Sequence, residues 1–414
     1  MPNLAFPIYL LFIVSWFLHL TARIPALGIV RFDLLIVVVL FGMKFLKGSE
    51  VGNQIQDDCS RKLNQFIFTV LLITPFAEWP GSVLSRGLTV FLKAVVFFYF
   101  TIWFVKSQKQ YFLFLGTVVG CQIVRFMEPL YLHVTQGYWG DKAYMAGTGG
   151  TEFMNRLAGA PSDIINPNGL ALVVISVLPF LVCIYKVNIY FKIIAIMLVP
   201  SALYALMLTG SRSGMLALLI MGLILFYRSN KKLYFIIGTA IVAFLIIGSI
   251  SEIQIDRYRS IFDADTKNAG TSEGRLRGLS RDFSVVLRRP LLGHGLGCSL
   301  EANANFRENA QPSHNIFIEV LQELGLVGFF MFFRYVWSVI KSLHLKIEAG
   351  ADDLRTTLLM SIKDAIAVLA VTTLFFGFAS YGLSCNDWYL IGGCVVLINK
   401  LLLHQSNNQV LQNI

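Results

Sequence analysis

Charge is what this sequence has least of. Asp, Glu, Lys and Arg make up 14% of its 414 residues, against about 25% in an ordinary soluble domain. That scarcity excludes a chain that faces water on every side. The six cysteines form no C-x-x-C and no Cys/His spacing of a metal site, which removes the zinc-bound folds. No G-x-S-x-G, H-E-x-x-H or Walker sequence is present, so the hydrolase elbow, the zincin helix and the phosphate loop are excluded as well. The net charge is +10, yet no basic-aromatic platform accompanies it, and nucleic acid is not an expected partner. The N-terminus, MPNLAFPIYLLFIVSW, lacks a basic leader and a small-residue cleavage site, and it reads as a retained first helix.

What is present is apolar. Hydrophobic residues make up 56% of the chain and 34 are phenylalanine. Apolar runs of roughly 17 to 25 residues recur throughout, each able to cross a hydrocarbon core ~30 Å thick. The expected fold is all-α and polytopic, with about twelve helices over 4–22, 26–46, 64–81, 88–105, 111–130, 164–185, 190–209, 213–228, 233–250, 315–340, 360–380 and 387–404. With the N-terminus inside, cytoplasmic loops and tail hold fifteen Lys and Arg, from Lys44 to Lys400, whereas four short outer loops hold only Arg23, Arg86 and Arg212. That imbalance predicts both termini in the cytoplasm. The chain then divides into N-terminal helices (1–130), an outer loop (131–163), helices with an SRSG turn (164–250), a large outer loop (251–313) and C-terminal helices (314–414).

The large loop is too long for a plain connector. Leu276, Leu279, Phe283, Val286 and Leu287 recur at helical spacing, which predicts an amphipathic helix over 275–289 lying against the membrane face and ended by Pro290. The loop gathers cations outside, among them Arg257, Arg259, Arg275, Arg281, Arg288 and Arg289. They call for an anionic partner, either lipid headgroups or a phosphorylated substrate.

Three residues are candidates for chemistry. Arg212 lies in TGSRSGM between two apolar runs. A guanidinium there is a snorkelling arginine, or it grips an anion that Gly210, Ser211, Ser213 and Gly214 allow to come close. His314 lies in QPSHNIFIEV, where the long loop returns to the membrane. Ser313 or His314 is expected to cap the next helix, and the positive helix end holds an imidazole neutral, as suits a base. Its alternative is a capping or interfacial histidine. Arg156 precedes Gly159 and INPNGLA, where Pro167 and Asn168 open a helix with free backbone N–H groups; an ordinary proline-containing helix start is the competing reading. Asp263 and Asp265 form a D-x-D, which is frequent by chance in polar loops, and nucleotide sugars are cytosolic. Gly293, Gly295 and Gly297 follow a helix rather than a strand, so the dinucleotide fingerprint fails. Arg31 with Asp33 and Arg125 with Glu128 are expected structural pairs. Cys298 and Cys385 fall in outer loops, where a disulfide and two unpaired thiols are the alternatives.

Four fragments in order, RLAGAPSDIINPNGLA (156–171), TGSRSGMLAL (209–218), GRLRGLSRDFSVVLRRPLLGHGLG (274–297) and SHNIFIEVLQELGLVG (313–328), resemble the O-antigen ligase and Wzy polymerase superfamily of membrane glycosyltransferases. Arg275 stands fifteen residues before Pro290, similar to the family's arginine before its PLLG element. The resemblance implies an inverting, metal-independent transfer of an undecaprenyl-diphosphate-linked glycan, without a cofactor, to an acceptor hydroxyl of lipid A core or of another glycan. It implies that Arg212 and Arg275, with Arg156, bind the donor pyrophosphate and that His314 activates the acceptor. It also implies a bacterial inner membrane, with the active face periplasmic. His294 departs from the pattern, at a position expected to be small or apolar, and leaves a second histidine near His314. The readings weighed against a ligase are a polymerase of the same superfamily and a transporter or flippase of lipid-linked saccharides.

Overall fold

Backbone polar groups in a hydrocarbon core find no water, so a segment crossing it satisfies them within itself, as a helix does. The computed structural model describes residues 4–46, 57–140, 156–228 apart from 164 and 186, then 232, 233, 236, 240, 270–307, 313–345 and 354–412 apart from 381. All regular elements among the described residues are helical. Seven helices there are long and apolar enough to cross a membrane: Pro80–Phe104, Gln108–Gln136, Pro167–Ile184, Ile189–Leu208, Ile316–Leu343, Thr356–Ala379 and Asp387–His404. The chain is an all-α, multi-pass membrane protein. The helix expected over 233–250 lies mostly outside the described residues, as do Asp263, Asp265, Arg257 and Arg259.

The chain forms two compact units, each built from two stretches of sequence. The first comprises residues 1–50 and 104–269. Its helix Pro167–Ile184 packs against Gln108–Gln136, Ile189–Leu208 and Arg212–Arg228, and Leu170, Val174 and Leu181 on it are fully buried. Tyr9 of Ala5–Phe17 stacks on Phe114 with ring centroids 5.6 Å apart. The helix expected over 4–22 ends at Phe17, because His19 takes a left-handed φ of 52°. Asp33 draws the chain round that corner: it accepts from Ser15 at 2.5 Å and from Thr21 at 3.3 Å. Asp33 therefore serves hydroxyls in place of the expected pair with Arg31.

The second unit comprises residues 51–103 and 270–414. Helix Ile316–Leu343 packs against Asp58–Ile73 and Asp387–Gln412 around a core of aromatic rings. Phe66, Phe91, Phe98, Tyr335 and Tyr389 are buried there, and Tyr335 stacks on Tyr389 at 6.1 Å. The expected amphipathic helix appears as Gly270–Val286. Val285 and Val286 are buried, whereas Leu279, Phe283 and Leu287 stay exposed on the protein surface. A second helix, Ser299–Arg307, follows within the same long loop, where none was expected.

The helix expected to run unbroken over 315–340 is interrupted. Gly325 takes φ 61° and ψ −166°, which frees backbone groups on both sides of the break. The 290–297 segment satisfies them. His294 N–H donates to Gln322 O at 2.8 Å and Gly295 N–H to Glu323 O at 2.9 Å, while Leu326 and Val327 N–H reach Pro290 O and Leu291 O at 2.8 and 3.2 Å. The backbones come so close that side chains do not fit. A Cβ on Gly325 would sit 2.3 Å from the Leu291 carbonyl, and one on Gly293 would sit 2.5 Å from that of Glu323. This explains Gly293 of GHGLG without any nucleotide. Gly325→Ala is expected to cost about 1–3 kcal/mol for the left-handed backbone alone, with the backbone clash added. Thermal unfolding in detergent measures it, and an unchanged midpoint would show that the two segments do not touch as described.

Candidate functional site

The expected site residues fall on both units. In the first unit the fragment 156–163 is a buried bracket. Leu157, Ala158 and Ala160 are essentially inaccessible, and Arg156 is 7% exposed. Its far end is held by Asp163, which receives Arg125 Nε at 3.0 Å and a second guanidinium nitrogen at 3.1 Å. Arg23, in turn, grips Glu128 through two bonds of 2.7 Å. The Arg125–Glu128 pair expected from proximity in sequence is thus replaced by two longer-range pairs. On a helix, side chains three residues apart are neighbours, but a buried carboxylate draws the nearest guanidinium out of that arrangement. His19 Nδ1 lies 3.7 Å from Asp163, and burial lowers the imidazole pKa below its usual value despite that carboxylate.

The near end of the bracket is Arg156. Its Nε donates to Thr209 O at 2.7 Å and a terminal nitrogen to Asn168 Oδ1 at 2.8 Å. Thr209 caps the C-terminus of Ile189–Leu208, where helix carbonyls lack intrahelical partners and the dipole favours a cation. Such a cation stabilises a helix end by about 0.3–1 kcal/mol when exposed and up to about 2 kcal/mol when partly buried. Leu157 N–H adds a bond to Leu208 O at 2.9 Å. Asn166, as the cap of Pro167–Ile184, accepts from Gly169 N–H at 2.9 Å. The structure therefore joins INPN and Arg156 to the TGSR turn, which lies some fifty residues on from Arg156.

Within that turn Gly210 has φ 55°, and Ser211 Oγ accepts from Gly214 N–H at 3.2 Å. Arg212 is the first residue of the helix Arg212–Arg228 and is half-buried. A Cβ on Gly214 would stand 2.8 Å from the Ala171 methyl, so the small residue lets this helix start close beside Pro167–Ile184. Arg212 thus leaves a rigid turn at the positive end of a helix, where an anion is favoured.

In the second unit His314 is exposed directly before the helix Ile316–Leu343. The cap is neither Ser313 nor His314, as expected from sequence, but Asn315. Its Oδ1 accepts from Phe317 and Ile318 N–H at 2.9 and 3.2 Å, and its Nδ2 donates to Phe378 O at 3.2 Å. Asn binds those N–H groups better than the longer imidazole does, and His314 is left out of the cap. Glu319, one turn on, receives Gly382 and Leu383 N–H at 2.7 and 3.1 Å. Glu319 and Glu323 leave no signal in the sequence beyond two acids four apart in an apolar helix. Arg275 lies on Gly270–Val286, and its side chain lies outside the described residues.

His294, the departure from the family pattern, is completely buried. Nδ1 meets Glu78 Oε2 at 2.5 Å and Nε2 meets Val285 O at 3.0 Å, and the ring stacks on Trp79 at 5.9 Å. Both nitrogens are engaged by protein groups, so His294 is a strut for the 290–297 segment, and no second exposed base stands there. Cys298 and Cys385 are both free thiols, and burial pushes Cys298 up to about 12. Among the described residues no group of three or more His, Cys, Asp and Glu could hold a metal ion.

Residues 194–333 match the family described as O-antigen ligase. The matched stretch is about a third of the chain and contains Arg212, Arg275 and His314; Arg156 lies before it. No curated protein matches the chain.

Proposed function

We propose, from the premise that residues 194–333 form an O-antigen ligase-type segment, that this chain is an inverting, metal-independent glycosyltransferase. It moves an undecaprenyl-diphosphate-linked glycan to an acceptor hydroxyl at the periplasmic face of the bacterial inner membrane, with both termini cytoplasmic. The observation that carries this reading is Arg212: a half-buried arginine at the first residue of a helix, in a turn braced by Arg156. Arg212 and Arg275 bind the diphosphate. His314 takes the acceptor proton.

The chemistry follows from where charge develops. The acceptor oxygen attacks the anomeric carbon as the bond from that carbon to the phosphate oxygen breaks. The electron pair of the broken bond passes to the diphosphate, the proton passes to His314, and the products are the elongated acceptor and undecaprenyl diphosphate. The leaving group gains negative charge along this path, so guanidinium groups on its phosphates stabilise the transition state more than the ground state. The glycosidic bond energy arrives with the donor, and the reaction needs no nucleotide. Ligase and polymerase share these steps and differ in the acceptor, which is lipid A core in one and a lipid-linked glycan in the other.

The purified full-length chain in proteoliposomes, supplied with lipid-diphosphate glycan and acceptor, is expected to form a glycosidic bond of inverted anomeric configuration. Excess EDTA is expected to leave the rate unchanged. A product of retained configuration, or donor carried across the bilayer without transfer, sinks the proposal; the second outcome favours the transporter.

A further inference from the structure

The resemblance placed Arg156 with Arg212 and Arg275 on the donor pyrophosphate, but the family match begins at residue 194 and does not reach it. Its geometry differs from that of a ligand-binding arginine. The residue is 7% exposed, and its Nε and one terminal nitrogen bridge two protein acceptors, Thr209 O and Asn168 Oδ1. Thr209 stands three residues before Arg212. Between them the chain has little freedom, because Ser211 N–H bonds Thr209 Oγ1 at 3.2 Å and Thr209 Oγ1 donates to Leu206 O at 2.6 Å. Asn168 belongs to the helix whose Ala171 methyl faces Gly214. One planar fork therefore holds both helices between which Arg212 emerges, a bidentate geometry that lysine cannot reproduce.

We propose that Arg156 is a positioning residue for Arg212: it sets the direction in which the Arg212 side chain leaves its turn and makes no contact with the glycan donor. The inference rests on the donor-binding role proposed for Arg212 and assigns Arg156 a part in the same reaction. Asn168 shares that part, as the second acceptor of the fork. The 156–163 bracket gains a purpose at both ends, since Asp163 anchors it to Arg125 while Arg156 reaches the turn.

The test is a double-mutant cycle in the full-length chain, with accumulation in the membrane checked for each variant. Arg156→Gln is expected to slow transfer by about 10²-fold, the cost of a misplaced reacting group. Added to Arg212→Gln, it is expected to slow transfer no further, because the group it positions is already gone. Multiplying effects would overturn the proposal, since they mean that Arg156 acts on the donor independently. Should Arg156→Gln fail to accumulate, Asn168→Ala removes one acceptor and leaves the guanidinium on Thr209, and the same absence of a further effect beside Arg212→Gln is required.

A second readout does not depend on activity. In Arg212→Cys, the rate of labelling by a water-soluble maleimide is expected to change when Arg156→Gln is added, with the six native cysteines common to both. An unchanged rate refutes positioning. If labelling changes while Arg212→Gln transfers glycan normally, positioning stands and the donor-binding role of Arg212 falls.

Discussion

His314→Ala is expected to reduce glycan transfer by about 10²–10⁴-fold, the range of a lost general base, with the amount of protein in the membrane unchanged. His314 is exposed, and the helix behind it is capped by Asn315 through Phe317 and Ile318 N–H. Removing the imidazole leaves that cap in place, so loss of activity is separable from loss of fold. Asn315→Ala is the informative contrast. It removes a cap, which costs about 0.5–2 kcal/mol, and lowers thermal stability through bonds that His314→Ala leaves in place. In cells, the His314→Ala variant should accumulate lipid-linked donor on the outer face of the membrane. Transfer within a few-fold of the parent rate would remove His314 from the mechanism. Donor held on the inner face would point to transport instead.

Arg212→Ala is expected to cost about 10²–10³-fold in turnover, as the loss of one preorganised group at a developing charge does. Arg212→Lys is expected to recover only part of it, because an ammonium is a point charge without the planar fork that matches phosphate oxygens. The turn itself should survive both changes. Its conformation is set by Gly210 at positive φ, by the Ser211 bond to Gly214 N–H and by Arg156 on Thr209, none of which uses the Arg212 guanidinium. Measured at saturating acceptor, a fall in turnover with little change in donor KM identifies a group that acts mainly in the transition state. A rise in KM at constant turnover would reduce Arg212 to ground-state binding, and full activity in Arg212→Ala would leave the diphosphate reading without its main support.

Much of this architecture was legible in one dimension. Apolar runs located helices at 167–184, 189–208 and 212–228 to within a few residues, because hydrophobic length is a local property that the bilayer reads directly. Pro167 and Asn168 announced a helix start, and the amphipathic spacing before Pro290 announced Gly270–Val286. The TGSRSGM turn stood out because small residues flank a lone cation. By contrast, polar partners do not follow proximity in sequence. Arg125 pairs with Asp163, thirty-eight residues on, and Glu128 with Arg23, 105 residues back. The break at Gly325 was invisible for a related reason: an apolar stretch reads as continuous helix unless the segment that enters it is known.

The sequence by itself determined that this chain is a helical membrane protein, which arginine and histidine could do chemistry, and which superfamily it resembles. Composition and short-range periodicity suffice for that, because they encode how each segment partitions between water and lipid. Only the tertiary structure decided what holds those residues in place. It put Arg156 on the turn of Arg212, turned His294 into a strut and gave the helix cap to Asn315. Buried donors and acceptors must find partners wherever the fold brings them, and no local pattern records which partner that will be.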